Sequence, residues 1–339
     1  MKKGLTILIG FSVIVVAFTL ILGTPTASNA ATVQLTYSNF FPPSHIQSKL
    51  AAAWCKEVGK RTHGKVKITY YPGGTLTKGK NCYDGVVNGL SDIGMSVCGY
   101  TRGRFPVMQA VDLPLGYTSG AVATKICNAV YNKFKDPGFN DTKVMYFMAH
   151  GPGILFTRKK PVRKLEDLKG LKIRSYGTNA ELVRALGATP VAMPMPEVYQ
   201  ALQRGVVDGA LYPMETNKGW RMADQVKYCT MDLSTAYTTA FFIVMNKKKW
   251  NALSPDIQKT IEEINKEWIP KHGAAWDSSD AEGRKYFLKK GGKIITLSKA
   301  EQARWKKAAK PVIAKYIAQM KEKGINGKAV VDYIESMLK

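Results

Sequence analysis

Apolar positions recur along this chain with two periods, and the periods alternate. Val33, Leu35 and Tyr37 are separated by polar residues, so 33–37 reads as a strand. Over 44–62, Leu50, Trp54 and Val58 share one helical face, and Gly64 stops that helix. A strand over 66–70 ends at the turn Pro72-Gly73-Gly74. A short helix over 80–88, a strand over 92–97 and a helix over 120–134 follow. Strands at 144–149 and 153–157 are broken by Gly151-Pro152. Leu165 to Leu168 makes a helical turn before a strand that ends at Arg174. Next come a helix over 179–186, an extended 189–191, a helix over 196–204 and a strand over 207–212. From Ser254 the pattern is mostly helical, with a long amphipathic run to Lys290. Strands alternating with helices predict mainly parallel sheets in layered α/β domains.

The first residues belong to a different class. Met1-Lys2-Lys3 is basic, Leu5 to Leu22 is almost wholly apolar, and Pro25 precedes the small-residue pattern Ser28-Asn29-Ala30-Ala31. That order predicts a secretory signal peptide over 1–30, cleaved after Ala30. A retained anchor is the alternative, since the apolar run is long enough to span a bilayer. Either way the remainder is exported. Residues 31–339 exceed the usual size of a single core and predict two domains.

Charge narrows the partners. Lys plus Arg outnumber Asp plus Glu, 50 to 25, an excess that can serve nucleic acid, an anionic membrane or an acidic ligand. Here the lysines are scattered, and the longest run is Lys247-Lys248-Lys249. Zinc-finger spacing, a basic zipper and an aromatic–basic RNA motif are all missing, which argues against nucleic acid.

The cysteines are Cys55, Cys82, Cys98, Cys127 and Cys229. An oxidising compartment permits disulfides, and an odd count leaves at least one thiol unpaired. Cys82 opens a predicted helix and Cys98 closes the strand after it. Those ends can share one side of a βαβ layer, so Cys82–Cys98 is the expected pair, against five buried thiols.

Catalytic motifs are lacking: no GxSxG, HExxH, P-loop or GxGxxG after a strand. His45, His63, His150 and His272 are far apart and read as packing or surface residues. A binding module is therefore expected in place of an enzyme, with no catalytic residue, metal or cofactor.

Four stretches carry a resemblance: "GKVKITYYPGGTLTKGKNCYDGVVNGLSDIG" at 64–94, "VDLPL" at 111–115, "KPVRKLEDLKGLKIRSYG" at 160–177 and "PMPEVYQALQRGVVDGALYP" at 194–213. In order and spacing the chain resembles the solute-binding subunits of TRAP transporters, the DctP family. The resemblance implies a two-domain, periplasmic binding protein-like α/β fold. An interdomain cleft closes by a hinge, and a long helix starting near Ser254 spans both domains. The implied domains are 31–150 with 240–278, and 151–239 with 279–339. It also implies a periplasmic, monomeric protein. Such a protein captures a small organic anion, carboxylate or sulfonate, and delivers it to membrane permease subunits.

The resemblance gives Arg174 the role of ligand anchor, and the chemistry agrees, because a planar fork of donors matches a carboxylate bidentately. By the same likeness Asn39 is a polar pocket residue, although a turn cap fits it equally. Tyr100 falls at the pocket wall, and Arg102 and Arg104 follow in its loop as sources of positive potential. Met195 is where relatives carry an aromatic, and Tyr212 is where they carry a ligand-facing polar residue. Glu215 and Trp220 are within reach of the cleft. One departure stands out. Many relatives have a second arginine in the strand before the KPV turn, whereas Gly153 or Ile154 falls there in this chain and Arg158 is out of register. With Phe40, Phe41, Tyr100, Met195 and Tyr212 as walls, the expected ligand has a flat or apolar body in preference to a polyhydroxylated sugar acid. Two other readings of the same scaffold are an input protein for a membrane sensor and an exported enzyme.

Overall fold

The computed structural model describes Met1 and residues 32–339, so the expected signal peptide lies outside the described residues. The strands are β1 (Val33–Asn39), β2 (Val66–Tyr71), β3 (Ile93–Val97), β4 (Thr142–Ala149), β5 (Gly153–Thr157), β6 (Lys172–Ser175), β7 (Thr189–Ala192), β8 (Gly209–Pro213), β9 (Tyr228–Met231), β10 (Ala240–Asn246) and β11 (Lys293–Thr296). They form a 5-stranded sheet in the order β2-β1-β3-β10-β4 and a 6-stranded sheet in the order β11-β9-β5-β8-β6-β7. Neighbours are parallel except where β10 meets β3 and β4, and where β5 meets β8 and β9. Those two antiparallel strands each follow a passage of the chain from one sheet to the other. The passages are 150–152, leading to β5, and 232–239, leading to β10.

The helices are α1 (Ile46–Arg61), α2 (Cys82–Val87), α3 (Gly120–Phe134), α4 (Thr178–Ala185), α5 (Met195–Arg204), α6 (Thr216–Gly219), α7 (Lys247–Asn251), α8 (Pro255–Lys289), α9 (Lys299–Glu322) and α10 (Gly327–Leu338). At 35 residues α8 is about 50 Å long. Ile257, Ile261, Ile264, Trp268, His272 and Trp276 are buried along it, three or four residues apart. It packs on α1, α3 and β4 beside the first sheet and on α6 beside the second. The crossing with the loop after β8 needs Gly283, where a Cβ would stand 2.3 Å from the Met214 carbonyl oxygen. This helix begins and ends within one residue of the amphipathic run in the sequence. The two-sheet architecture is the one the resemblance implies.

Three strands, β9, β10 and β11, have no counterpart in the pattern read above. All seven residues of β10 are buried. A strand covered on both faces shows no alternation, so the period-2 signal vanishes.

The expected Cys82–Cys98 bridge is not formed: all five cysteines are buried free thiols. Cys82 Sγ lies 3.6 Å from the Met95 carbonyl oxygen. Burial pushes the Cys82 and Cys229 thiols up to about 12, so neither is a ready nucleophile at neutral pH. Unfolding without reductant should therefore expose five alkylatable thiols per chain, counted by intact mass. A count of three with linked Cys82 and Cys98 peptides would restore the bridge.

Candidate functional site

Arg174 is the third residue of β6, flanked by Val191 of β7 and Ala210 of β8. Position in mid-sheet buries it to 2 % exposure. Its Nε donates to the Met193 carbonyl oxygen at 3.0 Å and its Nη1 to the Leu211 carbonyl oxygen at 3.2 Å. The guanidinium is thus clamped by backbone from both neighbouring strands, 4.7 Å from the Tyr176 ring centroid. Nη2 is buried and has no hydrogen-bond partner, and among the described residues no carboxylate pairs with the group. A buried cation without a counter-ion is costly. An anion meeting Nη2 would remove that cost.

The guanidinium opens onto a small cavity of about 30 Å³ between the two sheets. From the first sheet's side come Phe40 and Phe41 after β1, Tyr100 after β3, and Phe241 of β10. From the second come Tyr176, Met195, Tyr212 and Glu215. The rings form a continuous surface. Phe40 stacks on Phe41 with centroids 4.6 Å apart and faces Phe241 at 6.4 Å, and Trp276 of α8 stacks on Phe241 at 5.6 Å. Such flat faces suit an aromatic or apolar body.

Three polar contacts tie the sides together around this cavity. The Met195 amide at the start of α5 donates to Tyr100 Oη at 2.9 Å. Tyr176 Oη and Thr239 Oγ1 are 2.6 Å apart. His45, which caps α1 by accepting from the Gln47 amide, places Nε2 2.8 Å from Glu215 Oε1. Behind Glu215, Asp280 of α8 accepts from the Glu215 amide at 2.7 Å. Burial raises the Asp280 carboxyl to about 7 against the help of that amide, and the Glu215 and Asp277 charges add to the rise.

The sequence placed Arg174, Phe40, Tyr100, Met195, Tyr212 and Glu215 at the ligand site, and all six line this cavity, as does Trp220. Asn39 and Arg102 do not. Asn39 Oδ1 accepts from the Phe41 amide at 2.9 Å, shaping the turn that presents Phe40 and Phe41. Arg102 is exposed on its loop and borders a separate groove with Lys80 and Arg184. Arg104 is occupied by Asp84 and Asp141. Arg158 points outward, donating to the Gln203 carbonyl oxygen at 3.4 Å.

Sequence reasoning missed His150, Tyr237 and Trp276. The first two sit in the passages between sheets, where no periodicity marks them. His150 Nδ1 is 2.5 Å from the Gly151 carbonyl oxygen. Burial lowers its pKa to about 4 despite that bond, and the Arg174 charge lowers it further. The imidazole is therefore neutral at pH 7, with the Nδ1 proton donated to Gly151. Arg174 is then the one cation among the described lining residues. At Gly153 a Cβ would come within 2.3 Å of the Tyr237 ring, so a side chain there would displace that ring.

A family model described as DctP, bacterial extracellular solute-binding protein, family 7, matches residues 37–319. Solved structures agree. A marine metagenome TRAP solute binding protein specific for aromatic acid ligands, in complex with 3-hydroxybenzoate, is 30 % identical, with a TM-score of 0.86 over 91 % of this chain and 98 % of that one. A TRAP solute binding protein from Rhodoferax ferrireducens with copurified benzoate is 28 % identical, with a TM-score of 0.85 over 91 % and 98 %. A TRAP periplasmic solute binding protein from Desulfovibrio salexigens is 34 % identical, with a TM-score of 0.80 over 91 % and 96 %.

His150 makes a pH prediction. Its folded value lies below the ordinary 6.5 of the unfolded chain, so it contributes stability above pH 6.5 that is lost as the pH falls towards 4. His272, held by burial at about 3, acts in the same window. The raised Asp112, Asp136 and Asp280 carboxyls act in the opposite direction over this range, so the test is a difference: between pH 7 and 4.5 the melting temperature of His150→Asn should fall less, or rise more, than that of wild type. Parallel profiles would mean that His150 protonates freely in the folded state.

Proposed function

The chain belongs to bacterial extracellular solute-binding protein family 7, and from that premise we propose that it captures a small organic anion in the cavity between its sheets and delivers it to the membrane permease subunits of a TRAP transporter. The single observation that carries this reading is Arg174, a buried guanidinium with one unused donor edge and no acidic partner among the described residues. Its ring-rich surroundings, whose one described carboxylate, Glu215, is engaged by His45, leave the anion as its natural counter-charge. The basic N-terminal segment and apolar run support export to the periplasm. The lobes close on the ligand about the passages at 150–152 and 232–239, and His45–Glu215 latches the closed form.

The body of the ligand is flat or apolar. Phe40, Phe41, Phe241 and Trp276 present ring faces, which gain from removing apolar surface from water. A polyhydroxylated sugar acid would bury hydroxyls with few partners, at about 1–3 kcal/mol each. Two similar proteins are described with 3-hydroxybenzoate and benzoate bound, which supports a ligand of this class here.

Arg174→Ala should abolish tight binding and leave the fold intact. Truncating one partner of a desolvated, charge-assisted pair costs about 2–5 kcal/mol. A thermal-shift screen over organic acids and sulfonates identifies the ligand, and calorimetry then compares the two proteins. Affinity within about threefold of wild type, a difference below 1 kcal/mol, would reject the anchor.

A further inference from the structure

Tyr237 sits in the passage from β9 to β10 and is 1 % exposed, yet it lines the same cavity as Arg174. Its position is fixed on three sides. The Gly153 amide donates to its carbonyl oxygen at 2.7 Å. The ring lies directly over Gly153, with no room for a side chain there. His150 meets it edge-on, with centroids 5.5 Å apart and planes at 84°. The hydroxyl, by contrast, makes no hydrogen bond among the described residues, whereas those of Tyr100, Tyr176 and Tyr212 each have a partner. The cavity lining therefore holds two donors without a hydrogen-bond partner among the described residues, Tyr237 Oη–H and the fully enclosed Arg174 Nη2. They share one neighbourhood, because both residues line the same small cavity, and the Arg174 charge accordingly acts on the Tyr237 phenol.

We propose that Tyr237 is a ligand-contacting, specificity-determining residue, whose hydroxyl and the free Nη2 of Arg174 together seat the two oxygens of one carboxylate. This rests on the reading of the cavity as an anion site. The ligand class that follows is a planar monocarboxylate. Two donors match two acceptor oxygens, no second cation lines the cavity to neutralise a second acidic group, and Glu215 would repel one. The seat also joins β6 to a passage between sheets, so a bound carboxylate bears directly on the relative position of the two sheets.

Calorimetry with benzoate on wild type, Tyr237→Phe and Arg174→Ala tests this, with phthalate as a dicarboxylate control. Tyr237→Phe keeps the ring over Gly153 and removes only the hydroxyl. It should weaken benzoate by about tenfold or more, as expected for a hydrogen bond to a charged group, with the ligand-free melting temperature unchanged. Phthalate should bind far more weakly than benzoate. If Tyr237→Phe binds like wild type while Arg174→Ala does not, the role of Tyr237 falls and the anion site stands. If both variants bind like wild type, the anion site falls and this inference with it. Phthalate binding as tightly as benzoate, or wild type failing to bind benzoate, overturns the monocarboxylate class.

Discussion

A positive charge held in the middle of a sheet without a counter-ion is the constraint around which this molecule is arranged. Arg174 can stay there because β7 and β8 each turn a carbonyl oxygen towards it, through Met193 and Leu211. Those two bonds consume Nε and Nη1 and fix the plane of the fork. What remains, Nη2, is buried without a hydrogen-bond partner. The one carboxylate among the described lining residues, Glu215, is engaged by His45. The protein thus keeps its acids and its one lining cation apart, and leaves the cation wanting a partner.

The same arrangement links the site to the mechanics of the fold. The cavity walls come from both sheets and from the passages that join them, so every wall residue reports on how the sheets sit together. Asp280 and Trp276 project from α8, the helix that touches both sides. Burial, with the Glu215 and Asp277 charges, raises the Asp280 carboxyl to about 7, which lessens its repulsion with Asp277 on the same helix and Glu215 beside it. Most other ion pairs, such as Lys218 with Glu282 and Arg304 with Glu166, lie at the surface. Pairs of that kind contribute little to stability. The charge that matters for the site is a single buried group.

The excess of basic residues across the surface fits this picture loosely. It favours the approach of an anion through long-range attraction, an effect that salt screens over about 10 Å. The proposed selectivity rests on the cavity, where Arg174 is buried among flat rings.

Much of this was legible in the chain itself. The helices α1, α3 and α8 follow their apolar periods within a residue or two, because one face of each packs on a sheet while the other meets water. Arg174 stood out as a lone guanidinium near the end of an alternating strand, and the motif around it, matched to a known family, assigned its task. Local chemistry sufficed wherever the signal was local. It failed where burial was complete, as in β10, whose uniform apolar run carries no period. It failed for Cys82 and Cys98, which remain free thiols, because the order of helix and strand carries no distance between two sulfurs. It failed most at His150 and Tyr237. Their surroundings depend on pairings such as Gly153 with Tyr237, which join segments more than eighty residues apart in the chain. The sequence by itself determined most of the elements and the family, and singled out Arg174 as the candidate anchor. Only the tertiary structure decided what surrounds the anchor, because a cavity is defined by the contacts of distant segments and a one-dimensional pattern holds no record of their spacing.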